Sequence, residues 1–124
     1  MQELKTLEDF SNWKATHTGK VRLVKFSADW CGPCKKLTPL VDTIAAKYAG
    51  SIACASVNVK DANQLCKHFG VSSVPLCVIF EKDDGKVTET TDKDQSGGQE
   101  PHRILGYHPN ELIELLKKSL CVED

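Results

Sequence analysis

The sequence has no surplus of either charge: 16 Lys and Arg stand against 17 Asp and Glu, a formal net charge of -1. The basic residues do not gather into a stripe, so the electrostatic footprint of a nucleic-acid surface is missing. Long apolar runs are missing too, and no segment approaches the length needed to span a bilayer. The opening Met1-Gln2-Glu3-Leu4-Lys5 has neither the basic start nor the apolar stretch of a signal peptide. A cytoplasmic location is therefore expected, with neither nucleic acid nor membrane as a partner. There is no internal repeat. The single C-x-x-C has no second C-x-x-C or H-x-x-x-H to complete a closed zinc site, so no metal is expected.

What is present describes an ordinary globular chain. Its 124 residues, 40% hydrophobic and 27% charged, suffice for one core and fall short of two, so 1–124 reads as a single domain. Six cysteines would suit a secreted disulfide framework, but a chain of this length does not need staples. In a reducing compartment most of these thiols should be free.

Patterning supplies the elements. Thr6 reads as a helix N-cap followed by acids, with Leu7, Phe10 and Trp13 as the apolar face of a helix running to about His17. Residues 21–28 are short, β-branched and aromatic, a buried strand in which Lys25 is out of place. Leu37, Leu40, Val41, Ile44, Ala45 and Tyr48 follow helical spacing, predicting a long helix over 34–49, kinked at Pro39 and ended by Gly50. Residues 52–59 form a second strand, and the strand–helix–strand order implies a parallel crossover. A short helix over 62–69 stops at Gly70, and 76–80 is a third strand. Asp84-Gly85 signals a hairpin that would pair 86–90 with it, and a last helix starts near Pro109 with Leu112, Ile113, Leu116 and Leu120 inward. The fold class is α/β, a mixed sheet of four to five strands flanked by helices on both faces. Residues 91–102 have no apolar side chain to bury and read as a polar loop inserted into this core.

Trp30-Cys31-Gly32-Pro33-Cys34 lies where a buried strand meets a helix N-terminus, the place where open α/β sheets put reactive groups. The partial positive charge of that helix start favours a thiolate at Cys31, while Cys34, a turn further in, should be shielded. Two intervening residues let the sulfurs approach bonding distance; Gly32 tolerates the tight turn and Pro33 suits the first helical position. The chemistry this allows is thiol–disulfide exchange: an exposed Cys31 attacks a substrate disulfide and Cys34 resolves the mixed disulfide. It needs no metal or organic cofactor. A structural disulfide here would close too small a loop to restrain the unfolded chain much.

With Trp-Cys-Gly-Pro-Cys at 30–34, Pro39 five residues beyond, Val74-Pro75 before the third strand and Gly106 ahead of the last helix, the chain resembles the thioredoxin family. The resemblance covers nearly everything outside 91–102 and implies the thioredoxin fold. It implies that Pro75 is cis and packs beside the cysteines, leaving the Val74 backbone to pair with an extended substrate segment. Trp30, Gly32, Pro33, Val74, Pro75, Leu105 and Gly106 would line the groove around the disulfide. It also implies protein disulfides as substrates and reduction by an NADPH-dependent thioredoxin reductase; a monomer is the expected working form.

Two positions depart from the family. It usually carries an acid where Lys25 stands, helping to move the proton of the second thiol. A neutral Lys25 would act as base, its ammonium would favour the Cys34 thiolate, and an amine that snorkels out would do neither. Leu76 replaces the threonine usual after the proline, which should alter the groove more than the chemistry. Cys54 and Cys77 read as small core residues, and Cys66 and Cys121 as incidental unless oxidised. Two rival functions stay open: a non-catalytic binding module of this fold, disfavoured by the presence of both cysteines, and a disulfide oxidase or isomerase, disfavoured by Gly32-Pro33.

Overall fold

The computed structural model describes residues 1–81 and 101–120. Among them the chain forms β1 (Gln2–Glu3), α1 (Leu7–Thr16), β2 (Val21–Ser27), α2 (Gly32–Lys47), β3 (Ile52–Asn58), α3 (Asn63–Phe69), β4 (Leu76–Phe80), β5 (His102–Leu105) and α4 (Pro109–Leu120). The five strands lie in the order β1-β3-β2-β4-β5. β1 and β2 run parallel to β3, whereas β2 with β4 and β4 with β5 are antiparallel, so the sheet is mixed as expected.

Strand alternation divides the core between the two faces. Val24, Phe26, Ala55, Val57 and Val78 pack with Phe10 and Trp13 of α1 and Leu65 of α3. Val21, Leu23, Ile52, Cys77 and Ile79 face the other way, against Leu37, Val41 and Ile44 of α2 and Leu112 and Leu116 of α4. β2, flanked by β3 and β4, is buried on both sides from Val21 to Phe26. Lys25 is part of that buried run, pointing with Val21 and Leu23 toward α2 and α4 by alternation.

The local signals hold with some corrections. Thr6 caps α1 in a reciprocal capping box with Asp9, but Leu7, at the first helical position, is exposed while Phe10 and Trp13 are buried. α2 begins at Gly32, which puts Pro33 second in the helix, and it runs on through Pro39. It stops at Lys47 with Tyr48 as C-cap, two residues before Gly50, because the Tyr48 N–H closes on Ile44 and the Tyr48 carbonyl then accepts from Ser51 and Ile52. Gly70 ends α3 in the left-handed conformation, φ 62°. In α4, Leu112, Leu116 and Ser119 are buried and Ile113 and Leu120 only partly so.

Two features have no signal in the patterning. β1 escapes it because two exposed residues carry no strand pattern; Leu4 secures it, fully buried, with its N–H on the Ser56 carbonyl at 2.9 Å. On the side away from β2, β4 pairs antiparallel with β5, in register from Leu76 opposite Leu105 to Ile79 opposite His102. The polar stretch therefore ends before His102, which opens β5. The expected Asp84-Gly85 hairpin, the 86–90 strand and residues 91–100 lie outside the described residues.

Candidate active site

β2 ends at Ser27, and the chain turns through Ala28, Asp29 and Trp30 into α2. The Cys31 N–H closes that turn on the Ala28 carbonyl at 3.2 Å. Cys31 is the N-cap of α2 in extended conformation, and its Sγ accepts the Cys34 N–H at 3.1 Å. A disulfide sulfur thus occupies the place normally taken by a capping oxygen. Cys31 and Cys34 are joined as a disulfide, with Cα atoms 5.3 Å apart. A helix start aims partial positive charge at the sulfur that caps it, a built-in stabilisation for a thiolate at Cys31.

Burial does not separate the two sulfurs. Cys31 is 4% exposed and Cys34 2%, so in the oxidised pair the expected exposure of Cys31 is absent. Both pack with Ala28, Val59 and Val74. The asymmetry lies in the backbone, since Cys31 caps the helix and Cys34 is inside its first turn.

The predicted groove residues fall into two groups. Trp30, 77% exposed, stands beside the pair with Gly32 and Pro33, also exposed. Val74 touches the cysteine cluster and joins Pro75 through a cis peptide, as the resemblance implied. Leu105, opposite Leu76 in register, is 55% exposed, and Gly106 donates its N–H to the Pro75 carbonyl at 2.8 Å. That bond ties the end of β5 to the proline loop, and Gly106 holds φ 95° to make the turn. Trp30 and Leu105 are large exposed apolar side chains.

Lys25 sits beneath α2. It is 4% exposed, and its Nζ donates to Thr38 Oγ1 at 2.7 Å instead of running out to solvent. Thr38 Oγ1 in turn donates to the Cys34 carbonyl at 3.1 Å. Burial pulls the Lys25 amine below its ordinary pKa, opposed by Asp42 and Cys77. A concavity of about 200 Å³ opens beside this contact, lined by Ser27, Ala28, Asp29, Cys34, Lys35 and Thr38. Sequence reasoning does not single out Thr38. A signal exists all the same, since Thr38 follows Cys34 by four residues on a face otherwise made of Leu37, Val41 and Ile44.

The remaining thiols are quiet. Burial pushes Cys77 up to about 12 and Cys54 up to about 11, and raises Cys66 as well. Cys77 is buried and Cys54 half-buried, and Cys66 packs at the edge of the α1 and α3 core. Cys121 lies outside the described residues.

Comparison with known proteins agrees with this geometry. The family model described as Thioredoxin matches residues 4–106. The chain is 32% identical over 94 residues to the chloroplastic M-type thioredoxin of Zea mays, covering 76% of this chain and 47% of that protein. It is 34% identical over 99 residues to thioredoxin 1 of a Nostoc strain, covering 79% and 78%. The chain thus spans about half the length of the maize relative, and most of the Nostoc one. Among solved structures, the thioredoxin of Fasciola hepatica superposes with a TM-score of 0.78 at 25% identity, covering 96% of this chain and 99% of that one. The architecture is the thioredoxin fold.

Proposed function

The chain belongs to the thioredoxin family, and from that premise we propose that it is a dithiol/disulfide oxidoreductase that reduces protein disulfides through Cys31 and Cys34. The observation that carries this reading is the Cys31–Cys34 disulfide at the start of α2, with Cys31 Sγ receiving the Cys34 N–H.

In the reduced form Cys31 Sγ attacks as a thiolate, held by the helix start. It bonds to one sulfur of the substrate disulfide and expels the other, which takes a proton from solvent. Cys34 then loses its proton and attacks Cys31 Sγ. The Cys31–substrate bond breaks, the second substrate thiol leaves, and the Cys31–Cys34 bond closes. Two electrons have passed from the pair to the substrate, and a reductase must return them.

An extended substrate segment would lie along Val74, with Trp30, Gly32, Pro33, Pro75, Leu105 and Gly106 around it. The packing of Val74 on the cysteine pair and the Gly106 N–H bonded to the Pro75 carbonyl support that placement, because they tie the end of β5 to the loop beside the disulfide. We place the chain in a reducing compartment, the cytoplasm, where 1–124 works as a single domain and a monomer, recharged by an NADPH-dependent thioredoxin reductase. Among the described residues no helix is long and apolar enough to cross a membrane.

The test is reduction of a protein disulfide by the pre-reduced chain, alongside Cys31→Ser and Cys34→Ser. Wild type should turn over, Cys31→Ser should be inactive, and Cys34→Ser should stop as a mixed disulfide on Cys31. No turnover by the wild type overturns the reading in favour of a binding module. A glutathione titration separates the remaining rival: a potential far above the roughly -270 mV already known for thioredoxin itself would mark an oxidase or isomerase.

A further inference from the structure

An amine buried among Val21, Leu23 and the side chains of α2 is costly unless its hydrogen bonding is satisfied. Lys25 finds one hydrogen-bond partner in Thr38, and the direction of the bonds is fixed. The Thr38 hydroxyl hydrogen goes to the Cys34 carbonyl, a back-bond open to a helical threonine, so its lone pairs face the amine and Lys25 is the donor. At 2.7 Å the contact is at the short end for N–H···O. The contacts therefore run from the Lys25 amine through a hydroxyl to the backbone carbonyl of Cys34, the residue whose thiol must lose a proton in the second step. The concavity lined by Cys34 and Thr38 admits water to the same place.

Resting on the oxidoreductase reading, we propose that Lys25 and Thr38 are a positioning pair for the resolving thiol: Thr38 anchors the buried ammonium behind Cys34, and its charge stabilises the Cys34 thiolate. In the resolving step the Cys34 proton passes to water in the concavity. Cys34 Sγ bonds to Cys31 Sγ, the bond from Cys31 to the substrate sulfur breaks, and that sulfur takes up a proton from solvent. Lys25 keeps its protons throughout.

The groups around the amine come from α2, β3 and β4. Asp42 on α2 favours its charged form, and Cys77 on β4 does so only as a thiolate. Cys54 on β3 interacts with Cys77, and Ser56, which pairs with Lys25 in register, does not titrate. Cys77 and Cys54, raised to about 12 and about 11, stay neutral thiols at neutral pH and do not compete.

The pair is tested by alkylating Cys34 across pH in the full chain carrying Cys31→Ser, quantified on the Cys34 peptide, which needs no substrate. Adding Lys25→Met should move the midpoint upward by about one pH unit or more. Thr38→Ala should move it the same way by a smaller amount, and Thr38→Ser should restore it. Midpoints that stay put, or fall, in folded Lys25→Met and Thr38→Ala overturn the proposal. Should Lys25→Met fail to fold, the comparison of Thr38→Ala with Thr38→Ser decides alone. Lack of turnover in the wild type would overturn the oxidoreductase reading and leave this titration readable.

Discussion

Side chains of one type behave differently here according to where the fold puts them, and cysteine shows it best. Cys31 meets the N–H groups of a helix start, whereas Cys54 and Cys77 meet hydrocarbon. Since burial disfavours the thiolate, Cys54 and Cys77 in the native chain should alkylate at about pH 8 at least a hundredfold more slowly than an ordinary exposed thiol, by peptide-resolved mass spectrometry. The redox pair was legible in the sequence because its chemistry depends on local spacing and a helix start. The Lys25–Thr38 contact was not, because it joins a strand to a helix and depends on how α2 lies over β2.

At the scale of elements, helix ends carry much of the local specification. The Thr6 hydroxyl accepts the Asp9 N–H at 3.0 Å while Asp9 Oδ2 accepts from Lys5 and Thr6. Thr6→Ala should destabilise the chain by about 1 kcal/mol in denaturant unfolding. The backbone N–H groups of Lys5 and Thr6 hold the Asp9 carboxyl below its ordinary value, so its contribution is present above the unfolded pKa and lost as pH falls through the folded one. Melting temperatures of Asp9→Asn and wild type should accordingly differ at neutral pH and converge in acid. At the other end of a helix, Gly70→Ala forces a Cβ into φ 62° and should cost about 1 kcal/mol or somewhat more in the same unfolding measurement. These caps were readable from the sequence. The end of α2 was not, since Tyr48 turns the chain before Gly50 is reached.

For the whole molecule, the two-faced sheet places β2 where both of its surfaces are buried, so an ionisable group there titrates against folding. Phe26 is fully buried and packs edge-on with Phe69, ring centroids 5.5 Å apart, and Phe26→Ala should lose about 3–5 kcal/mol on unfolding. Lys25 has the opposite sign. Burial sets its folded pKa below the 10.5 of the free side chain, so between the two values the folded state holds fewer protons and stability rises with pH. Lys25→Met should therefore melt above wild type at neutral pH, with the gap narrowing as pH climbs toward 10.5. A gap independent of pH through the alkaline range would show that the amine is not desolvated.

The sequence by itself determined the strands and helices whose periodicity is strong, the cap residues that punctuate them, and the spacing of the cysteine pair at a helix start. Each depends on neighbours within a turn or two, or on apolar spacing along one element. Tertiary structure alone decided that β1 docks on β3, that β5 completes the sheet beside β4, and that Thr38 receives the Lys25 amine. Those choices set residues far apart in sequence against each other across a buried face, where packing and hydrogen-bond satisfaction, rather than local propensity, select the partner. The Cys31–Cys34 pair is written in the chain; the charge placed behind it comes from the fold.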